Sequence, residues 1–402
     1  MSLNEVVSAE RLHIGFFGMR NAGKSSLVNA VTGQQLAVVS NLKGTTTDPV
    51  KKAMELLPLG PVVIIDTPGL DDEGALGALR VQKAKQILAQ TDIAVLVIDG
   101  TIGLSPLDSN LIAQFQQRHI PYIVVLNKAD LLNNRPPMPA QYHYASATTK
   151  EGIHALKEAL GILGKKARKE KVLVSDLIEP GDLVILVTPI DESAPKGRLI
   201  LPQQLTIRDI LDHHGLVMLC QPEELKHTLA SLAAKPKLVV TDSQVFQRVS
   251  ADTPEDILLT SFSILMARYK GDLPALVRGA SALAKLNDGD KVLISEGCTH
   301  HRQCNDIGTV KMPGWIRAYS GVEPAFSFTS GGEFPEDLSE FRVVIHCGGC
   351  MLNEKEMKHR IRTAMACDTP MVNYGVAIAH MNGILKRSLT LFPQVSALLD
   401  EA

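Results

Sequence analysis

Aromatic side chains make up only 4% of this 402-residue sequence, and Trp315 is the one tryptophan. So few rings exclude base stacking as a principal means of holding single-stranded nucleic acid. Excess positive charge is also missing: 41 Lys and Arg face 43 Asp and Glu, a formal net charge of −2. That balance excludes a protein whose whole surface grips a phosphate backbone. No apolar run approaches the roughly 18 residues that a membrane-spanning helix needs. Runs such as Val62–Ile65 and Ile93–Ile98 have the length of buried strands. The N-terminal stretch MSLNEVVSAERLH carries Glu5 and Glu10 and lacks the apolar core of a signal peptide, so a cytoplasmic location is expected. Six cysteines are too few for a disulfide scaffold, and in a reducing compartment clustered cysteines point to metal.

What remains is ordinary globular material, 45% hydrophobic and 21% charged, in a chain long enough for two or three domains. Through residues 12–160, the apolar runs HIGFF, PVVIID, DIAVLVID and PYIVVLN alternate with amphipathic stretches. That alternation predicts βαβ units and a mostly parallel sheet. The basic run Lys165–Lys171 (KKARKEK) reads as a solvated linker or helix end and marks the first boundary. A second α/β pattern follows Asp182: the strand-like LVILVTPI, a helical stretch at Gln204–His213, apolar Leu216–Leu219 and strand-like Lys237–Thr241. Its His213, His214 and Cys220 have no ligand spacing, and no catalytic motif is present, so an assembly role is expected there. Gly271 interrupts a helical pattern near Tyr269–Asp272, where a third unit begins. That unit holds strand-like KVLIS, FSFTS, FRVVIH and PMVNYG. Its stretch Glu354–Ala366 predicts a helix whose buried face is Met357, Ile361, Ala364 and Met365. Lys355, Lys358, Arg360 and Arg362 are read as its solvated face.

The residues Gly18-Met-Arg-Asn21-Ala22-Gly23-Lys24-Ser25-Ser26 fit G-x-x-x-x-G-K-[ST] between a strand and a helix, the context that a phosphate-binding loop requires. Backbone N–H groups freed by the glycines close on phosphate, and the helix N-terminus adds a favourable dipole. Lys24 is expected to reach the β- and γ-phosphates, and Ser25 to bind Mg²⁺. Asp66-Thr-Pro-Gly69 ends the strand VVIID, placing Asp66 to hold the Mg²⁺ shell and the Gly69 N–H to sense the γ-phosphate. Asn127-Lys128-Ala-Asp130 ends the strand YIVVL. The Asp130 carboxylate can accept from guanine N1 and N2, a donor pair that adenine lacks, so GTP is selected. Ser146 and Ala147 follow at a spacing that suits a backbone contact to guanine O6. Together these motifs resemble the translation-factor-related branch of the GTPases. Leu70 stands where many Ras-type relatives carry a water-orienting Gln, and a leucine cannot orient water. Asn21 occupies the position where potassium-activated GTPases use an Asn oxygen as a K⁺ ligand; the alternative is that it only shapes the loop. Gly44-Thr-Thr-Thr-Asp48 resembles the switch segment of the same group, which implies that Thr46 coordinates Mg²⁺.

A second constellation lies near the C-terminus. Cys298-Thr-His300 follows KVLIS, and His346-Cys347-Gly-Gly-Cys350 follows FRVVI. Both fall at carboxyl ends of expected parallel strands, where α/β sheets place ligand sites. Three thiolates suit a 4Fe-4S cluster with one differently ligated iron, and a Cys₃His set suits structural zinc; both readings stay open on spacing, as does the absence of metal. Cys304 and His301 are spare ligand candidates, and Cys367 lies outside the pattern.

The combination of a P-loop GTPase region, a motif-poor α/β middle and C-x-H…H-C-x-x-C resembles the HydF family, the FeFe-hydrogenase maturation GTPases, over essentially the whole chain. The stretches GTTTDPV, APKGRLILPQ, KPKLVVTDSQV, EGCTHHRQCNDIG and HCGGCMLN carry the resemblance. It implies an α/β chain with a P-loop GTPase domain over residues 1–167, a dimerisation domain over 175–268 and a 4Fe-4S cluster domain over 269–402. It implies a scaffold that carries a transient di-iron precursor supplied by two radical-SAM maturases and received by apo FeFe-hydrogenase. The implied assembly is a homodimer, with no nucleic acid or membrane partner. By position, Cys298, Cys347 and Cys350 are the implied cluster ligands, with His300 or His346 as candidates for a variable fourth site. The runner-up is an RNA-associated GTPase, tRNA-modifying or ribosome-assembling, with a zinc module.

Overall fold

The computed structural model describes residues 9–34, 50–67, 75–167, 171–190, 199–297 and 306–400. The expectations for Thr46, Gly69, Leu70, Cys298, His300, His301 and Cys304 fall outside these residues. The chain divides into two compact units, Leu3–Glu170 and Lys171–Ala402.

The first unit is built on strands β1 (Leu12–Phe17), β2 (Val50–Leu56), β3 (Gly60–Asp66), β4 (Ile93–Asp99), β5 (Tyr122–Asn127) and β6 (Tyr142–Tyr144). Their order in the sheet is β2-β3-β1-β4-β5-β6. Every pairing is parallel except that of β2 with β3. The strands read as unbroken apolar runs because both faces are covered. On one face Ile14, Phe16, Val62, Ile64, Val95 and Val97 are buried in one cluster. On the other, Phe17, Val63, Ile65, Leu96 and Ile98 are buried in a second. Parallel strands with crossover connections bring β1, β3, β4 and β5 to a common carboxyl edge, which is where the loop 18–23, Asp66, Asp99 and Asn127 emerge.

The second unit holds two four-stranded sheets. One combines β7 (Leu183–Val187), β8 (Leu216–Cys220), β9 (Leu238–Thr241) and β10 (Leu258–Ser261) in the order β10-β9-β7-β8. The other combines β11 (Lys291–Glu296), β12 (Ala325–Ser330), β13 (Val343–His346) and β14 (Met371–Asn373) in the order β12-β11-β13-β14. All pairings in both are parallel. A single apolar cluster runs through both sheets, from Val184–Val187 to Val343–Ile345. In the second sheet the chain passes from β11 outward to β12, then returns to β13 on the opposite side. The carboxyl ends of β11 and β13 therefore form a topological switch point, the usual crevice for a ligand in an open parallel sheet.

Helix Glu354–Ala366 forms as expected, but its buried face differs from the sequence reading. Met357, Arg360, Ile361 and Ala364 are buried, whereas Met365 is 60% exposed. Eight residues after Met357, an α-helix has turned about 80° past the starting azimuth, so Met365 leaves the stripe. Arg360, three residues after Met357, stays on it, and its assignment to a solvated face is corrected.

Candidate functional site

The loop after β1 is shaped by its glycines. Gly23 has φ +85°, and a Cβ there would lie 2.3 Å from the Asn127 side-chain nitrogen. Only a glycine lets the β5 terminus approach so closely. That approach is used: Asn127 Nδ2 donates to the Ala22 carbonyl at 2.9 Å, and Asn127 Oδ1 accepts from the Ala147 N–H at 3.2 Å. One buried amide thus joins the phosphate-loop segment to the base-side segment. Lys24 is buried, and its ammonium donates to the Gly18 and Met19 carbonyls at 2.9 and 2.7 Å. It holds the loop closed around the charge that a phosphate would meet. Asn21 is exposed with φ +61°, and Ser26 is half-buried in the helix Lys24–Thr32.

Ser25 Oγ donates to Asp66 Oδ2 at 2.6 Å. Asp66 is 8% exposed, and its Oδ1 is buried with no hydrogen-bond partner among the described residues. Burial pushes its carboxyl above the ordinary value, against the opposing pull of Ser25 and Lys24. A buried carboxylate with an orphaned oxygen beside a serine hydroxyl fits a divalent cation: oxygen donors and an unmet negative charge suit Mg²⁺. Mg²⁺ held there would polarise the phosphate oxygens.

On the base side, Lys128 has φ +61°, and its ammonium lies 2.6 Å from Asp99 Oδ2 at the end of β4. Burial opposes it, but the bonds from Lys128 and Thr101 hold the Asp99 carboxyl below its ordinary value. Asp130 is exposed, its carboxylate open to a base. The segment 145–147 is stitched beneath it. Ala145 N donates to Leu126 O, Ala129 N to Ala145 O, and Ser146 N to Glu151 O, each at 3.0 Å. The fold brings the expected phosphate, magnesium and guanine residues that are described to one sheet edge.

At the switch point of the last sheet, Cys347 directly follows β13. Its sulfur accepts from Gly297 N at 3.1 Å and from Gly349 N at 3.4 Å. Gly349 has φ +63°, the conformation that turns the chain between Cys347 and Cys350. Neither cysteine is in a disulfide. Burial, reinforced by the neighbouring Cys350, pushes the Cys347 thiol up to about 11, although the Gly297 and Gly349 N–H groups pull it down. Burial also raises Cys350, opposed by the Lys270 ammonium. Two half-buried thiols, provided with N–H donors yet too costly to ionise alone, fit a soft cationic centre that replaces their protons. Among the described residues no group of three or more His, Cys, Asp or Glu is placed to hold a metal, and Cys298 lies outside them.

Around this turn stand residues that the sequence reading missed. Lys270, 1% exposed, donates to the Cys350 and Leu352 carbonyls at 3.1 and 3.0 Å. Tyr374 donates to the buried Glu296 at 3.2 Å, beside Cys347. Arg360 reaches His346, Glu356 and the Gly331 carbonyl, with Phe334 stacked 5.0 Å from its guanidinium. The only signal for Arg360 was its place within the apolar stripe.

The fold and first site define a P-loop GTPase domain joined to a second α/β unit. Residues 13–128 match the model of the 50S ribosome-binding GTPase family. Residues 173–271 match the hydrogen maturase F dimerization domain, and 274–391 the hydrogen maturase F tetramerization domain. The chain carries the domain set of HydF, the hydrogenase maturase GTPase, and belongs to that family. Among curated relatives, GTPase Der of Kosmotoga olearia is 35% identical over 131 residues, 31% of this chain and 29% of its own length. The tRNA modification GTPase MnmE of Parasynechococcus marenigrum is 34% identical over 157 residues, 38% of this chain and 34% of its own. The chain thus spans about a third of the length of these relatives. Among solved structures, a variant of Era from Aquifex aeolicus bound to GDP and AlF₄⁻ is 21% identical with a TM-score of 0.35, covering 52% of this chain and 92% of that one.

Proposed function

We propose that the chain is a GTP-hydrolysing scaffold that binds a 4Fe-4S cluster and delivers the di-iron precursor of the active site to apo FeFe-hydrogenase. The observation that carries this reading is the joining, in one chain, of a GTPase domain to both hydrogen maturase F domains, with Cys347 and Cys350 half-buried at a sheet switch point.

In this reading Gly18, Asn21, Ala22, Gly23, Lys24, Ser25 and Ser26 cradle the phosphates. Ser25, Thr46 and Asp66 hold Mg²⁺, and Gly69 senses the γ-phosphate. Asn127, Lys128, Asp130, Ser146 and Ala147 read guanine, and Asn21 takes K⁺. Cys298, Cys347 and Cys350 hold the cluster, which supplies an exchangeable iron. Domain limits at 1–167, 175–268 and 269–402, a cytoplasmic location, and exchange with radical-SAM maturases belong to the same proposal. Association of chains is supported by the two domain matches and by β8, an edge strand that leaves Leu216 and Leu219 about half exposed.

Anaerobic reconstitution of the full chain with iron and sulfide, followed by EPR, tests the reading. A brown, reducible 4Fe-4S signal that Cys347→Ser largely removes and Cys367→Ser leaves intact is expected, together with activation of apo-hydrogenase only after the reconstituted chain has been exposed to the radical-SAM maturases that supply the precursor. A colourless protein that takes up zinc and no iron would replace the reading with that of a zinc-containing GTPase.

A further inference from the structure

His346 lies at the end of β13, immediately before Cys347, and is fully buried. Both of its ring nitrogens are engaged. Nδ1 lies 2.7 Å from the Cys347 carbonyl, which can only accept, so Nδ1 carries the hydrogen. Nε2 lies 3.0 Å from Arg360 Nη1, which can only donate, so the Nε2 lone pair points at the guanidinium. The network leaves one neutral tautomer and assigns its single lone pair to an arginine. Arg360 is itself fixed: Glu356 accepts from it at 2.7 Å and the Gly331 carbonyl at 2.5 Å.

We infer that His346 is a positioning residue for the cysteine turn and not the fourth cluster ligand, because Arg360 occupies the one nitrogen that could bind iron. The inference rests on the proposal that Cys347 and Cys350 hold a cluster. A ligand histidine usually donates its second N–H to an acceptor while its lone pair faces the metal. Here the lone pair faces a cation buried among β11, β13 and the helix Glu354–Ala366, and a cationic metal cannot share that direction. The Nδ1–H instead holds the Cys347 carbonyl, and so the peptide that leads into the Gly348-Gly349 turn. Arg360 acts through His346, orienting the ring that orients the turn.

The two roles separate in nitrogen hyperfine spectra of the reduced cluster in the full chain. His346→Gln provides one amide donor and one acceptor, and should keep both the iron content and the histidine-type nitrogen coupling, if any, of the unaltered protein. His346→Leu removes the hold on the Cys347 carbonyl and should lose iron to a chelator about ten times faster, within the usual range for a residue supporting a metal ligand, again without a change in nitrogen coupling. In the iron-free chain, where Leu can affect folding, ¹⁵N NMR should find His346 with hydrogen on Nδ1 at pH 8. Loss of a directly bound nitrogen coupling in His346→Gln, or hydrogen on Nε2 in the iron-free chain, would overturn the inference. An unaltered chain that takes up no iron would defeat the cluster proposal itself, while the NMR result would still decide the tautomer.

Discussion

Ser25 and Asp66 are 41 positions apart in sequence, yet the serine hydroxyl donates to one carboxylate oxygen at 2.6 Å while the other oxygen is buried without a partner among the described residues. The pair is half of a cation site, closed on itself. Asp66 has a raised folded-state pKa because burial disfavours its charge. The protonated form is therefore favoured on folding. Its contribution to stability is complete below the unfolded pKa and is lost as pH rises through the folded value. Mg²⁺ needs the carboxylate, so its affinity should fall as pH drops through that raised pKa. Asp66→Asn should abolish Mg²⁺-dependent GTP hydrolysis without lowering the melting temperature of the metal-free chain at pH 7.5. Calorimetric Mg²⁺ titrations with GTP from pH 4.5 to 7.5 check this, and a pH-independent affinity would rule it out.

Asn127 makes a second long-range tie, to Ala22 on one side and Ala147 on the other. Replacing it by alanine leaves a buried carbonyl without this donor and the Ala147 N–H without this acceptor. Each such loss costs about 1–3 kcal/mol when no water replaces it. Asn127→Ala should lower the denaturation midpoint of the GTPase unit and weaken GTP binding together, since the phosphate loop and the base-side loop no longer share a strut. Fluorescent-nucleotide titration combined with urea unfolding gives both numbers. Weakened binding at full stability would mean that Asn127 acts on the nucleotide alone.

These two ties show what could be read from the sequence and what could not. The phosphate loop and the base-side motif are short, and each sits after a strand buried on both faces, so Ile93–Ile98 and its neighbours announce themselves as apolar runs. The sheet order and the convergence of Ser25, Asp66 and Asn127 on one edge follow from the right-handed crossovers that parallel strands impose. Arg360 and Lys270 could not be assigned in this way. Each is a charged residue on a helix, and its burial depends on distant partners, His346 14 positions away for one and Leu352 82 positions away for the other. Glu356, four residues before Arg360, is a local partner, but no local pattern encodes the distant ones. The boundary inside the second unit was equally hard to place, because one core runs through both of its sheets.

Asn21, exposed with φ +61°, stands at the rim of the phosphate loop. Its exposed side chain could offer an oxygen to a monovalent cation that neutralises charge developing on the phosphates. GTP turnover should be faster in KCl than in NaCl at equal ionic strength. Asn21→Ala should erase the difference while leaving GTP affinity within about threefold, a change of under 1 kcal/mol. Steady-state rates in the two salts provide the check, and equal rates in the unaltered protein would dismiss the potassium role.

Lys270 ends the helix Phe262–Lys270 with its ammonium buried against the Cys350 and Leu352 carbonyls. The charge does two things at once. It satisfies carbonyls that lead out of the cysteine turn, and it pulls the Cys350 thiol down against the desolvation that raises it. Lys270→Met keeps the length and apolar stem but removes both. Loss of each of the two hydrogen bonds costs about 1–3 kcal/mol, and relief from burying an ammonium returns part of it, so the net destabilisation should be smaller than their sum. The electrostatic effect has no such offset. A positive charge beside the proposed cluster would favour its more negative, reduced state, so the midpoint potential should move to a lower value in Lys270→Met, and iron should be lost faster at low pH, where protons compete for the thiolates. Redox titration followed by EPR, with iron release measured at pH 6 and pH 8, tests both effects. A potential unchanged from that of the unaltered protein would show that Lys270 serves the turn only as a hydrogen-bond donor.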